Sequence, residues 1–117
     1  MSNLKWYKIF DGQKEAEKRI SINTPQLVVI GKVRICLVRT SRGFYAVSDQ
    51  CPHRRESLSK GAINYLGEII CPGHNYIFNL GSGVEANGNC PNVATYPVEV
   101  TDDGFKIGIP VLGSVSQ

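Results

Sequence analysis

The sequence lacks the features that would assign it to a membrane or secreted protein. No uninterrupted apolar run is longer than Leu27–Ile30, whereas a transmembrane helix needs about 20 apolar residues. Residues 1–10 contain no apolar stretch of the kind that forms the centre of a secretory signal. We therefore expect a soluble, cytoplasmic protein that makes no contact with a membrane.

The sequence also lacks a large excess of charge of one sign. Its 117 residues carry 13 Lys and Arg against 10 Asp and Glu, a formal net charge of +3. Residues 1–50 contain nine of the basic residues and four acids, whereas residues 84–117 contain one Lys and four acids. This excess is too small to indicate a nucleic-acid-binding protein. The asymmetry could steer a charged partner, or it could be an ordinary solvated surface.

A third missing feature is a sustained apolar period of 3.6 residues, so no long amphipathic helix is predicted. Short runs of β-forming residues instead alternate with turns, in a chain with 12 Gly and 6 Pro. Strands are predicted over 6–10, 26–30, 32–40, 44–48, 62–65, 69–70, 76–80, 93–100 and 105–109, and a short helical turn over 13–19. The last two strands are expected to form a hairpin, and Trp6 is expected in the core. The pattern indicates an all-β sandwich or barrel, a single domain over 1–117 with an insert at about 47–83.

The chain has only four Cys and two His, and their placement is not random. Cys36 lies in an apolar run and is interpreted as a small buried hydrophobic residue. Cys90 lies in a loop rich in Asn and Gly. It could be a free thiol with a role of its own, or a residue that is merely tolerated there. Cys51 and Cys71 are each followed by Pro, and each has one of the two His close behind it. Disulfides are not expected in a cytoplasmic protein.

The spacing of these residues is Cys51-x-His53, then seventeen residues, then Cys71-x-x-His74. Two hairpin loops would bring two thiolates and two imidazoles to one site. Zinc can bind four such ligands, but zinc-finger spacing pairs Cys with Cys and His with His. A copper site has no place for the second thiolate. A two-iron Rieske centre, with two Cys on one iron and two His on the other, explains one Cys and one His per loop better. Zinc and a chance arrangement stay open as alternatives.

The two loops resemble the signatures of the Rieske ferredoxin family. The first signature, Cys-Pro-His followed by Leu-Ser and Gly, corresponds to residues 51–61, and the second, Cys-Pro-x-His-x-aromatic-x-Phe followed by Gly, to residues 71–83. Asp49 and the Tyr96-Pro97-Val98 segment are also similar to the family, and the resemblance covers about residues 5–110. It implies a Rieske-type fold and one [2Fe-2S] cluster per chain. The implied ligands are Cys51, His53, Cys71 and His74.

The chain departs from the family at several positions around the two loops. Arg55 and Asn75 replace residues that are usually Gly. High-potential members have a disulfide between the loops, at the positions of Glu56 and Gly73 here, and a Ser and a Tyr that donate hydrogen bonds to the cluster sulfurs. The corresponding residues here are Tyr76 and Phe78. Fewer hydrogen bonds to sulfur favour a low reduction potential, roughly −150 to −50 mV.

The resemblance implies an electron carrier rather than an enzyme that acts alone. The first hypothesis is a ferredoxin that passes one electron from a flavin reductase to an oxygenase or another terminal oxidoreductase. The second is a small subunit of a larger oxidoreductase such as nitrite reductase, and a weaker third is a zinc-bound or metal-free interaction module. Arg54, Arg55 and Lys60 could form a basic docking rim beside the site, or be solvated surface charges. Pro91 could cover the cluster, or be an ordinary turn proline.

Overall fold

The computed structural model describes residues 3–52, 56–73, 76–88 and 90–111. Within these ranges the chain is mostly β-strand, as the sequence predicts. No helix in the described ranges is long and apolar enough to cross a membrane.

The described residues form ten strands, one α-helix and one short 3-10 helix. In chain order these are β1 (Leu4–Phe10), α1 (Gln13–Arg19), β2 (Gln26–Ile30), β3 (Val33–Thr40), β4 (Gly43–Ser48), the 3-10 helix (Leu58–Lys60), β5 (Ala62–Ile63), β6 (Glu68–Ile70), β7 (Ile77–Asn79), β8 (Thr95–Tyr96), β9 (Val98–Thr101) and β10 (Gly104–Pro110). The predicted helical turn over 13–19 is therefore present, and its first turn is closed by a hydrogen bond from the Asp11 N–H to Glu15 Oε1 at 2.7 Å.

Two antiparallel sheets, with strand orders β1-β10-β9 and β2-β3-β4-β8, form the larger part of the molecule. They share a set of packed apolar side chains with α1, which we call the base core. Its buried members are Ala16, Ile20, Ile35, Leu37, Ala46, Phe105, Ile107 and Ile109. This half of the molecule is a small β-sandwich, held together by burial of apolar surface.

A third sheet, β5-β6-β7, packs with the other face of β3. The buried side chains on this side form what we call the site core: Cys36, Val38, Val47, Cys51, Leu58, Ile69, Cys71, Phe78, Leu80 and Val93. Successive side chains of a strand point to opposite faces. Ile35 and Leu37 therefore contact the base core, while Cys36 and Val38 contact the site core. Strand β3 therefore contributes side chains to both cores, one core from each of its faces.

The predicted strand over 93–100 is wrong in one respect, because it is divided at Pro97. Strand β8 pairs with β4 in one sheet, and β9 pairs with β10 in another. Proline has no N–H to donate and cannot continue a ladder, but its carbonyl oxygen accepts a hydrogen bond from the Gly108 N–H at 2.9 Å. The chain crosses from one sheet to the other at this residue.

The expected core position of Trp6 is also wrong, since this side chain is 39% exposed. Trp6 points to the outer face of its sheet, opposite Gly108 of β10. A Cβ atom at Gly108 would lie 3.2 Å from the Trp6 ring, so the ring covers the glycine. The neighbouring Tyr7 and Ile9 face inward and pack against the base core. The alternation of the strand places Trp6 outside, in spite of its large apolar ring.

Candidate metal centre

Cys51 and Cys71 begin two loops of the same construction. The Cys51 N–H donates to the Glu56 carbonyl oxygen at 2.9 Å, and the Cys71 N–H donates to the Tyr76 carbonyl oxygen at 2.8 Å. Each loop is thus closed on the residue five positions after its cysteine. Both cysteines are 0% exposed and belong to the site core. The structure therefore brings the two predicted thiol ligands into one buried group of side chains.

The other two predicted ligands, His53 and His74, lie outside the described residues, as do Arg54, Arg55 and Asn75. Among the described residues, no three His, Cys, Asp or Glu side chains are grouped so that they could hold a metal ion. The description of the site consequently rests on the cysteines and on the residues that support their loops.

Asp49 anchors the first loop to the base of the molecule. Its carboxylate Oδ1 accepts a hydrogen bond from the Ser59 N–H at 2.7 Å. Its carbonyl oxygen accepts the Leu58 N–H at 2.7 Å, and its own N–H donates to the Arg34 carbonyl oxygen at 3.0 Å. Asp49 is 1% exposed, and its second carboxylate oxygen has no hydrogen-bond partner among the described residues. Asp49 thus connects the segment before Cys51 to the segment after the first loop, through its carboxylate and its backbone.

The chain after β7 returns over the site core as a covering loop, of which residues 83–88 and 90–93 are described. It is held at its ends by a hydrogen bond from the Val93 N–H to the Gly83 carbonyl oxygen at 2.8 Å. Within it, Cys90 is half-buried and packs against the site core, whereas Pro91 is exposed. Glu85 is buried and accepts two backbone N–H groups. No sequence pattern marks Glu85, because one acid in a loop is ordinarily solvated.

The two cysteine loops touch each other at Glu56 and Gly73. A Cβ atom on Gly73 would lie 3.0 Å from Glu56 Cγ. These are the positions at which the high-potential members of the resembled family have their disulfide. Here no disulfide joins any two of the four cysteines, all of which are described. A side chain packed on a glycine replaces the covalent link.

Cys36 lies in the same core as Cys51 and Cys71 but has a different chemistry. Burial, and then the negative charge of Asp49, raise the pKa of Cys36 to about 12. The raised pKa disfavours the thiolate that a metal requires, and Cys36 lies in strand β3 rather than in either cysteine loop. The interpretation of Cys36 as a small buried hydrophobic residue agrees with its 0% exposure.

The pKa of the remaining thiol, Cys90, is affected by two charged groups near the site. Burial, then the negative charges of Cys51 and Glu85, raise the pKa of Cys90 above its ordinary value. Cys90 thus lies within electrostatic reach of a predicted ligand from the first loop and of the carboxylate in its own loop.

The two buried thiols fit a metal centre in chemical terms. A thiolate in an apolar core is costly unless a cation neutralises it, and a bound metal ion removes the thiol proton outright. Among the described residues the buried polar or charged side chains are Thr40, Asp49 and Glu85, so no buried Lys or Arg could serve instead. The fold and the site therefore define a small β protein with two buried thiols on two loops, an arrangement whose chemistry fits a metal–thiolate centre.

Comparison with known proteins identifies this class. The family model of the Rieske [2Fe-2S] domain matches residues 6–97, and the chain belongs to this family. Ferredoxin CarAc of Metapseudomonas resinovorans is 34% identical over 80 residues, 68% of this chain and 69% of that protein. A chain in a solved complex of reduced oxygenase and oxidised ferredoxin in carbazole 1,9a-dioxygenase is 28% identical. This alignment has a TM-score of 0.72 and covers 90% of this chain and 94% of that one.

A second kind of relative is a much longer enzyme. The nitrite reductase [NAD(P)H] of Emericella nidulans is 28% identical in an alignment 112 residues long, which covers 89% of this chain but only 10% of that protein. The predicted Rieske fold is confirmed by the family match. As a member of the family, the chain binds a [2Fe-2S] cluster and is an iron–sulfur protein of electron transport.

Proposed function

We propose that this protein is a ferredoxin that carries one electron from a flavin reductase to an oxygenase in the cytoplasm. The observation that carries the proposal is the pair of buried thiols, Cys51 and Cys71, on loops of the same construction in a Rieske domain. Ferredoxin components of oxygenase systems are among the similar proteins. When bound, the cluster supplies a centre that gains and loses a single electron.

We propose Cys51 and Cys71 as ligands of one iron, and His53 and His74 as ligands of the other. The site core surrounds the two cysteines with apolar side chains, Asp49 supports the first loop, and Glu85 of the covering loop supports the second. We also propose a single domain over 1–117. Its cluster-binding insert, at about 47–83, is supported by the core that it shares with strand β3.

The proposed cofactor is tested by analysis of the purified protein. We expect two irons and two acid-labile sulfides per chain, a red-brown colour, and an EPR signal only after reduction. One zinc and no iron would overturn both the ligand assignment and the electron-carrier function. The same preparation serves as the reference for all variants below.

A small subunit of a larger oxidoreductase is the second candidate function. It is favoured by the alignment with the nitrite reductase, which extends over 112 residues, against 80 for ferredoxin CarAc. Affinity purification of the native chain from its own cells would separate the two functions. A stoichiometric complex with a large flavin or haem protein would favour the subunit, and a monomer that is reduced reversibly in solution would favour the ferredoxin.

Basic residues around the first loop are expected to speed electron transfer to a negatively charged partner. Lys60 is exposed at one end of this loop, and Arg34, which sequence reasoning missed, is exposed beside the other end, next to Asp49. Replacing both Arg54 and Arg55 by Glu should slow oxidation of the reduced protein by ferricyanide, and should speed oxidation by a cationic cobalt complex. Stopped-flow absorbance at low salt measures both rates.

The control for this prediction is Lys14→Glu with Lys18→Glu, the same change in net charge on exposed positions of α1. Its rates should change far less than those of the arginine variant. Both effects should shrink at physiological salt, where the screening length is about 8 Å. Equal rates for the two double variants would mean that the arginines are only solvated charges.

The hydrogen bonding of the cluster is tested by Phe78→Tyr. Phe78 is 0% exposed and lies in the site core with both cysteines. We expect the new hydroxyl to donate to a cluster sulfur, stabilise the reduced form and raise the reduction potential. Each tenfold increase in the equilibrium constant for reduction raises the potential by about 59 mV. Spectroelectrochemistry measures the midpoint, and the control is Phe44→Tyr, a change in a partly buried side chain that packs against the base core. A midpoint of the Phe78 variant at or below that of the wild type would contradict the expectation.

A further inference from the structure

A single peptide group connects the second cysteine loop to a buried carboxylate. The carbonyl oxygen of Tyr76 accepts a hydrogen bond from the Cys71 N–H at 2.8 Å. On the other side of the same peptide, the Ile77 N–H donates to Glu85 Oε2 at 3.3 Å. Cys71 and Glu85 are therefore joined by two hydrogen bonds through the 76–77 peptide.

Glu85 is one of three buried polar or charged side chains among the described residues, with 2% exposure. Its other oxygen, Oε1, accepts the Asn87 N–H at 3.1 Å, within the covering loop. The backbone strengthens this link in two ways. Glu85 and Phe78 form an isolated antiparallel β-bridge, and the Ala86 N–H donates to the Ile77 carbonyl oxygen at 2.7 Å. One carboxylate thus connects the second cysteine loop to the loop that covers the site.

The charged form of Glu85 is the one that these contacts favour. Backbone N–H groups that donate to a carboxylate stabilise its ionised state. A charge inside the protein is screened less than one in water, so its effect extends to neighbouring groups. Glu85 Oε2 accepts from the Ile77 N–H, and the Tyr76 carbonyl oxygen of the same peptide accepts from the Cys71 N–H, so a single peptide group separates the carboxylate from the second cysteine loop.

We propose that Glu85 is a positioning residue that holds the 76–77 peptide against Cys71 and lowers the reduction potential of the cluster through its buried negative charge. The proposal rests on the proposed function, because it assumes a [2Fe-2S] cluster on Cys51 and Cys71. Reduction adds negative charge to the centre. A fixed negative charge nearby opposes that addition, and it also makes the Tyr76 carbonyl oxygen more negative. Both effects favour the oxidised form.

Two substitutions separate the charge of Glu85 from its shape. Glu85→Gln removes the charge and keeps the length of the side chain. Glu85→Asp keeps the charge but shortens the side chain by one methylene, which withdraws the carboxylate from the Ile77 N–H. Glu99→Gln is the matched control, since Glu99 is exposed on β9, in a different sheet from the site. Each protein is compared by iron and sulfide content, visible circular dichroism, EPR of the reduced state and midpoint potential.

We expect the potential to rise in the order wild type, Glu85→Asp, Glu85→Gln, with the control equal to the wild type. The Gln variant should accept the electron with an equilibrium constant at least tenfold larger, a shift of about 59 mV for a one-electron couple. Iron content and the EPR line shape should stay close to those of the wild type in every loaded variant.

The outcomes that overturn the inference differ from those that overturn the proposed function. Wild-type protein without iron and sulfide would overturn both. A loaded wild type with a Gln variant of unchanged or lower potential would overturn the role of Glu85 alone. If the Gln variant does not retain its cluster, Glu85→Asp decides, because a loaded Asp variant with the wild-type potential would mean that the contact of the carboxylate with the Ile77 N–H does not act on the cluster, which overturns the positioning role.

Discussion

Replacing Cys51 or Cys71 by Ser is expected to abolish the cluster completely. Each cysteine is 0% exposed and, on the proposed assignment, supplies one of two thiolates to the same iron. A serine hydroxyl does not replace a thiolate at neutral pH, and the energy of metal binding is also folding energy. We expect no iron or sulfide in either variant and a loss of at least about 3 kcal/mol of stability, roughly 10 °C in melting temperature. Metal analysis and thermal unfolding monitored by circular dichroism measure the two effects.

Cys36→Ala is the matched control for these variants, because Cys36 is also 0% exposed and lies in the same core. A pKa of about 12 disfavours the thiolate form of Cys36. The Ala variant should therefore retain the full content of iron and sulfide and lose only packing contacts. A Cys36 variant that loses its iron, or a Cys71 variant that keeps it, would contradict the proposed ligands.

Replacing Gly83 by Ala should destabilise the covering loop far more than an ordinary glycine substitution does. Gly83 has a φ of +78° and is buried, and a Cβ there would overlap the Val93 carbonyl oxygen. The left-handed conformation costs Ala about 1–2 kcal/mol, and the overlap should add about 1–3 kcal/mol. The hydrogen bond between the Val93 N–H and the Gly83 carbonyl, 2.8 Å long, would be lost as the loop moves away.

Gly67→Ala is a control with the same backbone strain and no overlap. Gly67 also has a φ of +78°, but a Cβ there would meet nothing within 4 Å. The difference in unfolding free energy between the two variants, measured by urea denaturation of the loaded proteins, isolates the clash with Val93. We also expect faster release of iron to a chelator from the Gly83 variant only. Equal destabilisation in both variants would show that the covering loop adapts and does not protect the site.

Much of the local structure follows from the sequence alone. The strand over Gln26–Ile30 and the helical turn over Gln13–Arg19 have the predicted bounds. Both are encoded by residues a few positions apart, through alternation of apolar side chains or short-range hydrogen bonds. The two Cys-Pro loops are likewise marked by their spacing, which favoured a two-iron centre, and their resemblance to the Rieske signatures predicted the class of protein and its cofactor. The spacing works as a signal because few ligand sets divide their residues as one Cys and one His per loop.

Other features were decided by contacts between residues far apart in the chain. Pro97 ends one strand, but only the pairing of β8 with β4 and of β9 with β10 determines that the chain changes sheets there. Trp6 has the large apolar side chain of a typical core residue. It lies on the outer face of its sheet because the opposite residue, Gly108, has no side chain and leaves room for the ring.

The positions of the residues that support the site also depend on contacts between distant parts of the chain. The approach of Glu85 to the 76–77 peptide and of Arg34 to Asp49 depends on how the loops fold over the shared strand β3. Sequence spacing marks the proposed ligands because each Cys and His pair falls within four residues of sequence. The residues that hold and tune these loops come from distant segments, and only the packing of three sheets around two cores brings them together.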